Sequence, residues 1–410
     1  MPCKYLILTT VYPRGESEPE GHKTHGKFIR DFAVTLSNNG NEIHVLTPRS
    51  LNTKTFENLD GIYVHRFPYF LSRKLETLTY GDGIPENLKK IRNWFLIPFL
   101  LTAFLINAMH LLRRHNIGII NAHWIIPTGF LGLFIKTIVP GSTLVITSYG
   151  VELFLVINGK YEFLKPFLKT AILKADHIAA ISHGTANAVS FISGRKNVAV
   201  IPFGINTKYY TPGAKNEKLC QRYNLKGKTI FFSGRMVERK GHRFLLEAMT
   251  VIRQKFFDAT LILGGRGPLF YDLINLKHQL SLDENVIMPG YIDEKEMVEH
   301  LRLADVFVLP SYVDAHGDTE GSALAALEAM ACGTPAIITD IGGNKNTIEE
   351  GAGAYYCEPG NSHSIAEKVI KLLIDDSLLN EQSKKARDFI MKNYSWKTII
   401  RKFECLIDKD

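Results

Sequence analysis

Two series of short β-rich runs, each interleaved with helical stretches, run along this chain, and a turn-rich segment separates them. The first series comprises Tyr5–Thr10, Ile43–Thr47, Ile62–Arg66, Ile117–Ala122, Leu144–Thr147, His177–Ile181 and Val198–Ile201, with helices such as Phe28–Asn38 and Pro166–Lys174 between them. The second comprises Ile230–Ser233, Thr260–Leu263, Val286–Met288, Val306–Leu309 and Pro335–Thr339. Its helices are Arg243–Arg253, Leu269–Leu280, Glu294–Leu303 and Ser322–Ala331. Strand-helix alternation predicts a parallel sheet covered on both faces. A chain of 410 residues exceeds one ordinary core, so two such domains are expected. The expected architecture is α/β, two doubly wound domains facing across a cleft, with ligands beyond the carboxyl ends of the strands. The boundaries fall at 1–202, a linker at 203–216 within PFGINTKYYTPGAKN, a second domain at 217–392, and a closing helix at 393–410. The tail is read as helical over Ser364–Leu373 and Glu381–Asp410.

Composition narrows the classes. Apolar residues make up 45% and charged residues 22%, which excludes a disordered chain. The formal charge of +8 suits a polyanionic ligand, an anionic membrane surface or nucleic acid. Nucleic acid would call for a basic stripe with exposed aromatics, and the positive residues are dispersed. Cys3, Cys220, Cys332, Cys357 and Cys405 have no paired spacing, and the histidines show no ligand spacing. No disulfide framework and no metal are expected, and a reducing compartment is. The start, MPCKYLILTTVYP, is too short an apolar run for a signal peptide and reads as a first strand. The run Trp94–Met109 is shorter than the roughly 20 residues of a spanning helix and holds Pro98, Thr102 and Asn107. It reads as a buried helix, or as a surface-inserted one anchored by Lys89, Lys90 and Arg92.

The stretch GDTEGSALAALEAMACGTP, Gly317–Pro335, carries the sharpest chemical signal. Glu320 lies in a loop after a strand, and Glu328 lies about two turns into a helix that Gly333 and Pro335 end. The free N–H groups of Gly321, Ser322 and Ala323 form an anion site at the helix start. In FFSGRMVERKGH, Gly234 turns the chain tightly and Arg235 and Lys240 lie on the loop that follows, fit to grip a diphosphate. LGGRGPL, containing Gly265, again links a strand to a helix. Neither a GxGxxG fingerprint nor a GxxxxGK[ST] loop occurs, which disfavours a dinucleotide dehydrogenase or a P-loop ATPase. One ligand with a diphosphate and hydroxyl-bearing flanks would satisfy these features together, because a carboxylate accepts two vicinal hydroxyls. A nucleotide sugar has that shape.

With these motifs in order, the chain resembles the family 4 retaining glycosyltransferases of the GT-B fold along nearly its whole length. The Glu-x7-Glu segment EGSALAALE is the most specific piece. SGRMVERKG, LILGGRGP, VIMPGYIDEKE, ADVFVLPS, INAHWIIPTG, IPFGINTKYYTP and NYSWKTIIRKFE occupy the family's usual places. The resemblance implies that Arg235 and Lys240 hold the donor diphosphate. It places Glu320 and the backbone at Gly321 and Ser322 on the transferred sugar, Glu328 on the ribose, and Gly290 and Tyr291 at the base. Gly26 would sit on the N-terminal loop that approaches the donor, and His123 would face the sugar from the other domain. It also implies that the C-terminal helix returns to the N-terminal domain. No cofactor or metal is implied; the co-substrate is a UDP- or GDP-sugar. The implied partner is a glycan or lipid-linked acceptor, with contact to an anionic membrane at its cytoplasmic face. The chain departs from the family where TSYGVE replaces a frequent His-Gly-x-Asp, placing Tyr149 and Glu152, and where Asn346 stands in place of an acid. It also has His25-Gly26 for a Gly-Gly pair. His123 is not assigned as a general base; a hydrogen bond to sugar or a core position beside Trp124 explains it as well. Alternatives are a sugar-nucleotide epimerase on the same fold, or a non-catalytic glycan- or anion-binding protein.

Overall fold

The structure, a computed structural model, describes residues 2–14, 26–51, 53–79, 84–315, 323–341, 344 and 347–408. The chain forms two compact units. One runs through Gly204 and takes in the chain from Ile399 onward; the other is Ile205–Thr398.

The first unit is built on an eight-stranded sheet in the order β3-β4-β2-β1-β5-β6-β7-β8. Its strands are β1 Lys4–Leu8, β2 Glu42–Pro48, β3 Phe56–Leu59, β4 Ile62–Phe67, β5 Ile119–His123, β6 Thr143–Ser148, β7 His177–Ala180 and β8 Ala199–Val200. All neighbours are parallel except β3 and β4. β1 is fully apolar after Lys4, as a strand covered on both faces must be. The antiparallel edge strand β3 was not expected. It alternates exposed and half-buried residues, and its FENL offers no apolar run to detect.

The helix Ile97–His115 covers one face of this sheet, burying Leu100, Phe104, Ala108, Leu111 and Leu112. Its inner face belongs to the core while Ile91, Trp94, Phe95, Phe99 and Ile106 on the same 25-residue apolar segment are exposed. The buried-helix reading holds for one side of the run; the other side is an exposed apolar surface. The C-terminal helix Trp396–Ile407 supplies Phe403, whose ring meets Phe32 edge-on at 4.9 Å. Burying such a ring stabilises by about 1.5–3 kcal/mol. Glu404 on the same helix accepts hydrogen bonds from the Asn39 and Asn41 amides at 3.2 and 3.0 Å.

The second unit carries a parallel six-stranded sheet in the order β11-β10-β9-β12-β13-β14. The strands are β9 Thr229–Ser233, β10 Thr260–Gly264, β11 Val286–Gly290, β12 Val306–Leu309, β13 Ala336–Thr339 and β14 Ala354–Cys357. β14 was also not anticipated from the sequence. The tail expected as one helix over Glu381–Asp410 is two, Asp376–Asn393 and Trp396–Ile407, with Ser395 capping the second. The Ser395 hydroxyl accepts from the Thr398 N–H at 3.3 Å, a cap that stops the preceding helix and restarts the chain.

The turn-rich segment read as a linker from 203 packs into the second unit from Ile205 onward. Ile205 and Tyr210 are buried in its core, and Ile205 pairs with Ser395. Arg387 fixes the segment by donating to the Tyr210, Ala331 and Thr207 carbonyls at 2.8, 2.7 and 3.0 Å. Apolar side chains among the turn formers outweigh the turn signal.

Candidate functional site

In the second unit the chain leaves β9 toward β10 and β11 on one side, and reaches β12, β13 and β14 on the other. The strand order thus reverses between β9 and β12, which is where a doubly wound sheet opens a crevice at its carboxyl edge. The loops there interlock through backbone. Gly234 N–H donates to the Gly264 carbonyl (3.2 Å), Gly265 N–H to Gly290 (2.7 Å), Met236 N–H to Arg266 (2.9 Å) and Tyr312 N–H to Arg239 (2.9 Å). Two glycines make this possible. A Cβ at Gly265 (φ +124°) would lie 2.0 Å from the Gly234 carbonyl oxygen, and one at Gly241 (φ +68°) 1.9 Å from that of Pro310.

Arg235 is exposed on the loop after β9, and Lys240 is half-buried at the end of a short 3-10 turn, Glu238–Lys240, one residue before the helix N-cap Gly241. Burial first and the Lys240 charge second push the His242 imidazole down to about 4, so it stays neutral beneath the loop. Gly290 ends β11, two strands along the sheet, and the strongly exposed Tyr291 follows it. Arg266, passed over in GGRGP, belongs to the same edge: its guanidinium lies over the Phe270 ring at 5.7 Å and beside Gly290. The sequence signal was present in a cation flanked by glycines after a strand.

The helix expected from Ser322 runs over Leu324–Ala331, with buried Ala323 at its N-cap. Glu320, Gly321, Ser322 and Asn346 lie outside the described residues. Glu328 is half-buried on this helix, and the Tyr210 hydroxyl is hydrogen-bonded to its carboxylate. Burial and the Glu328 charge hold the Tyr210 phenol far above its ordinary range, so it is a fixed donor. Tyr210 was missed because it sits among turn formers. Asn344, past β13, is fully buried with neither side-chain amide atom hydrogen-bonded among the described residues.

The first unit has its own cluster at the carboxyl ends of β5 and β6. His123 ends β5 and is buried, and its Nδ1 lies 2.5 Å from the Tyr149 hydroxyl. Its Nε2 is buried without a partner among the described residues. Burial pushes His123 down to about 3 and the Tyr149 phenol well above its usual value, so both are neutral. A neutral imidazole has one N–H. If Tyr149 donates to Nδ1, only the Nε2–H is left unpaired. If the imidazole donates instead, the phenol proton and the Nε2 lone pair are both stranded. The first arrangement satisfies more groups, which makes His123 an Nε2–H donor.

The surroundings hold that ring in place. Phe32 meets it edge-on at 5.8 Å, and Tyr149 is in turn stacked on Phe203 at 5.6 Å and flanked by Phe28 at 5.0 Å. Trp124 follows at φ +75°, a left-handed conformation costing a bulky residue about 1–3 kcal/mol. It is sustained by Trp124 N–H to Thr147 O at 2.9 Å and by the Gly129 N–H and Thr128 hydroxyl on its own carbonyl at 3.1 and 3.0 Å. Glu152 accepts from the Ile125 N–H at 2.8 Å, while its other oxygen is buried with no partner among the described residues. Burial raises its pKa, against the lowering by its backbone hydrogen bonds. Gly26, at φ +76°, caps the helix Lys27–Asn38; a Cβ there would press on the Val11–Tyr12 backbone at 3.0 Å.

Two parallel doubly wound units, the second with loop cations at its switch point, define a GT-B glycosyltransferase. Solved structures agree in fold. Sucrose-phosphate synthase from Thermosynechococcus elongatus superposes with a TM-score of 0.74 at 19% identity, covering 99% of this chain and 98% of that one. Anabaena Alr3699/HepE, solved in complex with UDP, gives 0.74 at 17% identity and covers all of both chains. Residues 25–209 match the Glycosyltransferase Family 4 description and residues 216–389 that of Glycosyl transferases group 1. The chain belongs to glycosyltransferase family 4. Among curated relatives, N-acetyl-alpha-D-glucosaminyl L-malate synthase of Bacillus anthracis is 24% identical over 92% of this chain and 91% of that protein. A GDP-mannose-dependent alpha-(1-6)-phosphatidylinositol monomannoside mannosyltransferase of Mycobacterium tuberculosis is 30% identical over 49% of this chain and 53% of that one. The chain is therefore a glycosyltransferase that uses a nucleotide sugar, and the epimerase alternative is not favoured.

Proposed function

We propose that this enzyme is a retaining, metal-independent hexosyltransferase that moves a sugar from a UDP- or GDP-sugar to a glycan or lipid-linked acceptor, in the synthesis of cell-surface polysaccharide or glycolipid. The observation that carries this reading is the placing of Arg235 and Lys240 on the loop beside the β9/β12 switch point, with the Leu324–Ala331 helix on its other side. As the donor breaks, negative charge develops on the β-phosphate. Two cations and the helix start would stabilise it without reorganising, and preorganised charge of this kind commonly lowers a barrier more than any other single effect. Arginine and lysine then do the work a divalent ion does elsewhere. The acceptor hydroxyl attacks the anomeric carbon on the face the diphosphate leaves, and its proton passes to the departing phosphate. Glu320 and the backbone at Gly321 and Ser322 would hold the sugar, Glu328 and Tyr210 the ribose, and Gly290 and Tyr291 the base. Gly26 is assigned to the donor-side loop, and His123 to a sugar hydroxyl.

Arg235→Ala and Lys240→Ala should each lower turnover by about 100-fold or more while the chain stays folded. Near-normal turnover in both would remove them from the site. Product anomer analysis by NMR tests retention separately.

The acceptor side is proposed to lie at the inner face of the cell membrane. Its support is the exposed apolar group of Ile91, Trp94, Phe95 and Phe99 beside exposed Lys89, Lys90 and Arg92. Apolar side chains insert at the interface while basic neighbours meet anionic headgroups. Vesicles containing anionic lipid should sediment the chain, and Ile91→Ser with Phe95→Ser should abolish this. Equal binding to neutral vesicles would refute the charge part of the proposal.

A further inference from the structure

The sequence shows no metal-ligand spacing, but the fold assembles a ligand set at the amino edge of the first sheet. Glu42 and His44 are two apart on β2, hence on one face of the pleat. His115 ends the helix that covers this face. One ligand atom from each of the three lies within 4.8 Å of the others. His44 is buried, and Glu42 and His115 are half-buried, so the group is closed on the sheet side and open on the other. It faces a cavity of about 650 Å3 lined also by Tyr63, His65, His110 and Arg114.

The hydrogen bonds orient these side chains toward one another. His44 Nε2 lies 2.9 Å from the Glu42 carboxylate, and His44 Nδ1 lies 3.0 Å from His65 Nε2. Either the N–H hydrogen of His44 Nε2 or a metal ion must bridge this nitrogen and the carboxylate, and a metal would take the place of that hydrogen. A metal-bound histidine needs its second ring nitrogen oriented by another group, and His65 does this for His44. The second oxygen of Glu42 is held by Lys4 at 3.0 Å. The His115 ring is tilted against that of His44, with centroids 4.3 Å apart, and can bring a third ligand by turning a half-exposed ring.

We propose that Glu42, His44 and His115 form a binding site for a divalent transition metal of the zinc class, with His65 as the orienting partner and an open fourth position toward the cavity. Metal bonds of about 2.0–2.2 Å at tetrahedral angles put ligand atoms about 3.3 Å apart, so the present cluster closes by a small side-chain adjustment. Two imidazoles and one carboxylate already paired with Lys4 are poor ligands for magnesium or calcium, which need several oxygens, and good ones for zinc, nickel or copper. The site is at the amino edge of the strands, whereas His123 ends β5 at the carboxyl edge, so the metal is assigned a structural role and not a part in transfer.

The test is zinc titration calorimetry on the full chain, purified with a histidine-free tag and stripped with chelator. One saturable zinc site per chain is expected, with a raised melting temperature in zinc and no magnesium response. His115→Ala and Glu42→Gln, both at half-exposed positions, should each weaken zinc binding by roughly tenfold or more. Turnover of metal-free His115→Ala should match metal-free wild type. No saturable zinc binding, equal response to magnesium, or an affinity unmoved by both substitutions would overturn the proposal; if one variant fails to fold, the other decides.

Discussion

Tyr149→Phe is the perturbation that asks most of the first unit's cluster. It deletes one oxygen, leaves the ring stacked on Phe203 and flanked by Phe28, and removes the donor 2.5 Å from His123 Nδ1. The imidazole is buried, so the orphaned nitrogen finds no water. Leaving such a group unpaired costs about 1–3 kcal/mol. The bond that selects the Nε2–H tautomer is gone, so both neutral tautomers become populated. If the Nε2–H holds a reacting sugar, turnover falls by about 10- to 100-fold, since 1.36 kcal/mol corresponds to a factor of ten. Nitrogen-15 spectra of the ring distinguish the tautomers, and steady-state kinetics separate kcat from KM. Wild type should show a single Nε2–H form and Tyr149→Phe a mixture. Tyr149→His, which restores the residue that the resembled family often carries, should recover much of the turnover by returning a ring N–H donor. A wild-type ring protonated at Nδ1, or an unchanged tautomer in Tyr149→Phe, would refute the assignment; an unchanged kcat would show that the tautomer does not matter to transfer.

Acid should weaken both units. His123 and His242 are held at about 3 and about 4 in the folded chain, chiefly by burial, while an unfolded histidine titrates near 6.5. Below pH 6.5 the unfolded chain takes up protons that the folded chain refuses. Stability is therefore full above about pH 6.5 and falls by about 1.4 kcal/mol per pH unit per group down to the folded pKa, or about 2 kcal/mol each at pH 5. Glu152, whose pKa burial raises, opposes this in the first unit. Urea midpoints at pH 7.5 and pH 5 check it, and a flat profile with His123 and His242 titrating near 6.5 by NMR would contradict it. Gly265→Ala should cost about 1–3 kcal/mol or more, because alanine is strained at φ +124° and its methyl would meet the Gly234 carbonyl at 2.0 Å. Its kcat should fall more than its KM rises; a variant neutral in both stability and turnover would mean that the loop does not position Arg235.

Most of the architecture was legible because the parallel sheets are buried on both faces. Strands such as Leu6–Leu8 and Phe231–Phe232 then read as unbroken apolar runs. β3 and β14 escaped since an edge strand like FENL needs apolar residues on one face at most. Arg235, Lys240, Gly290 and Tyr291 could be nominated from the sequence because local segments at strand ends carry them, and the sheet brings those segments to one edge. Tyr210 could not, for its partner Glu328 comes from a distant helix. The Glu42, His44 and His115 group was invisible for the same reason: a strand and the end of a helix contribute to it, and only the topology brings them together.

On the proposed reading, the glycines around β9 let Arg235 and Lys240 serve the donor without being buried. An exposed Arg235 would ordinarily lose its advantage to side-chain and loop entropy. Here the loop that carries it is tied by Gly234 N–H to Gly264 O and Met236 N–H to Arg266 O, and its far end passes under Pro310 at Gly241. A Cβ at Gly265 or Gly241 would lie 2.0 or 1.9 Å from a backbone carbonyl oxygen, so these two crossings admit only glycine. A rigid backbone lets a cation reach a developing charge without the scaffold reorganising, and that difference between ground state and transition state is what lowers a barrier. The crossings at Gly241 and Gly265 therefore require glycine, and on the proposed reading that requirement serves the cations beside them.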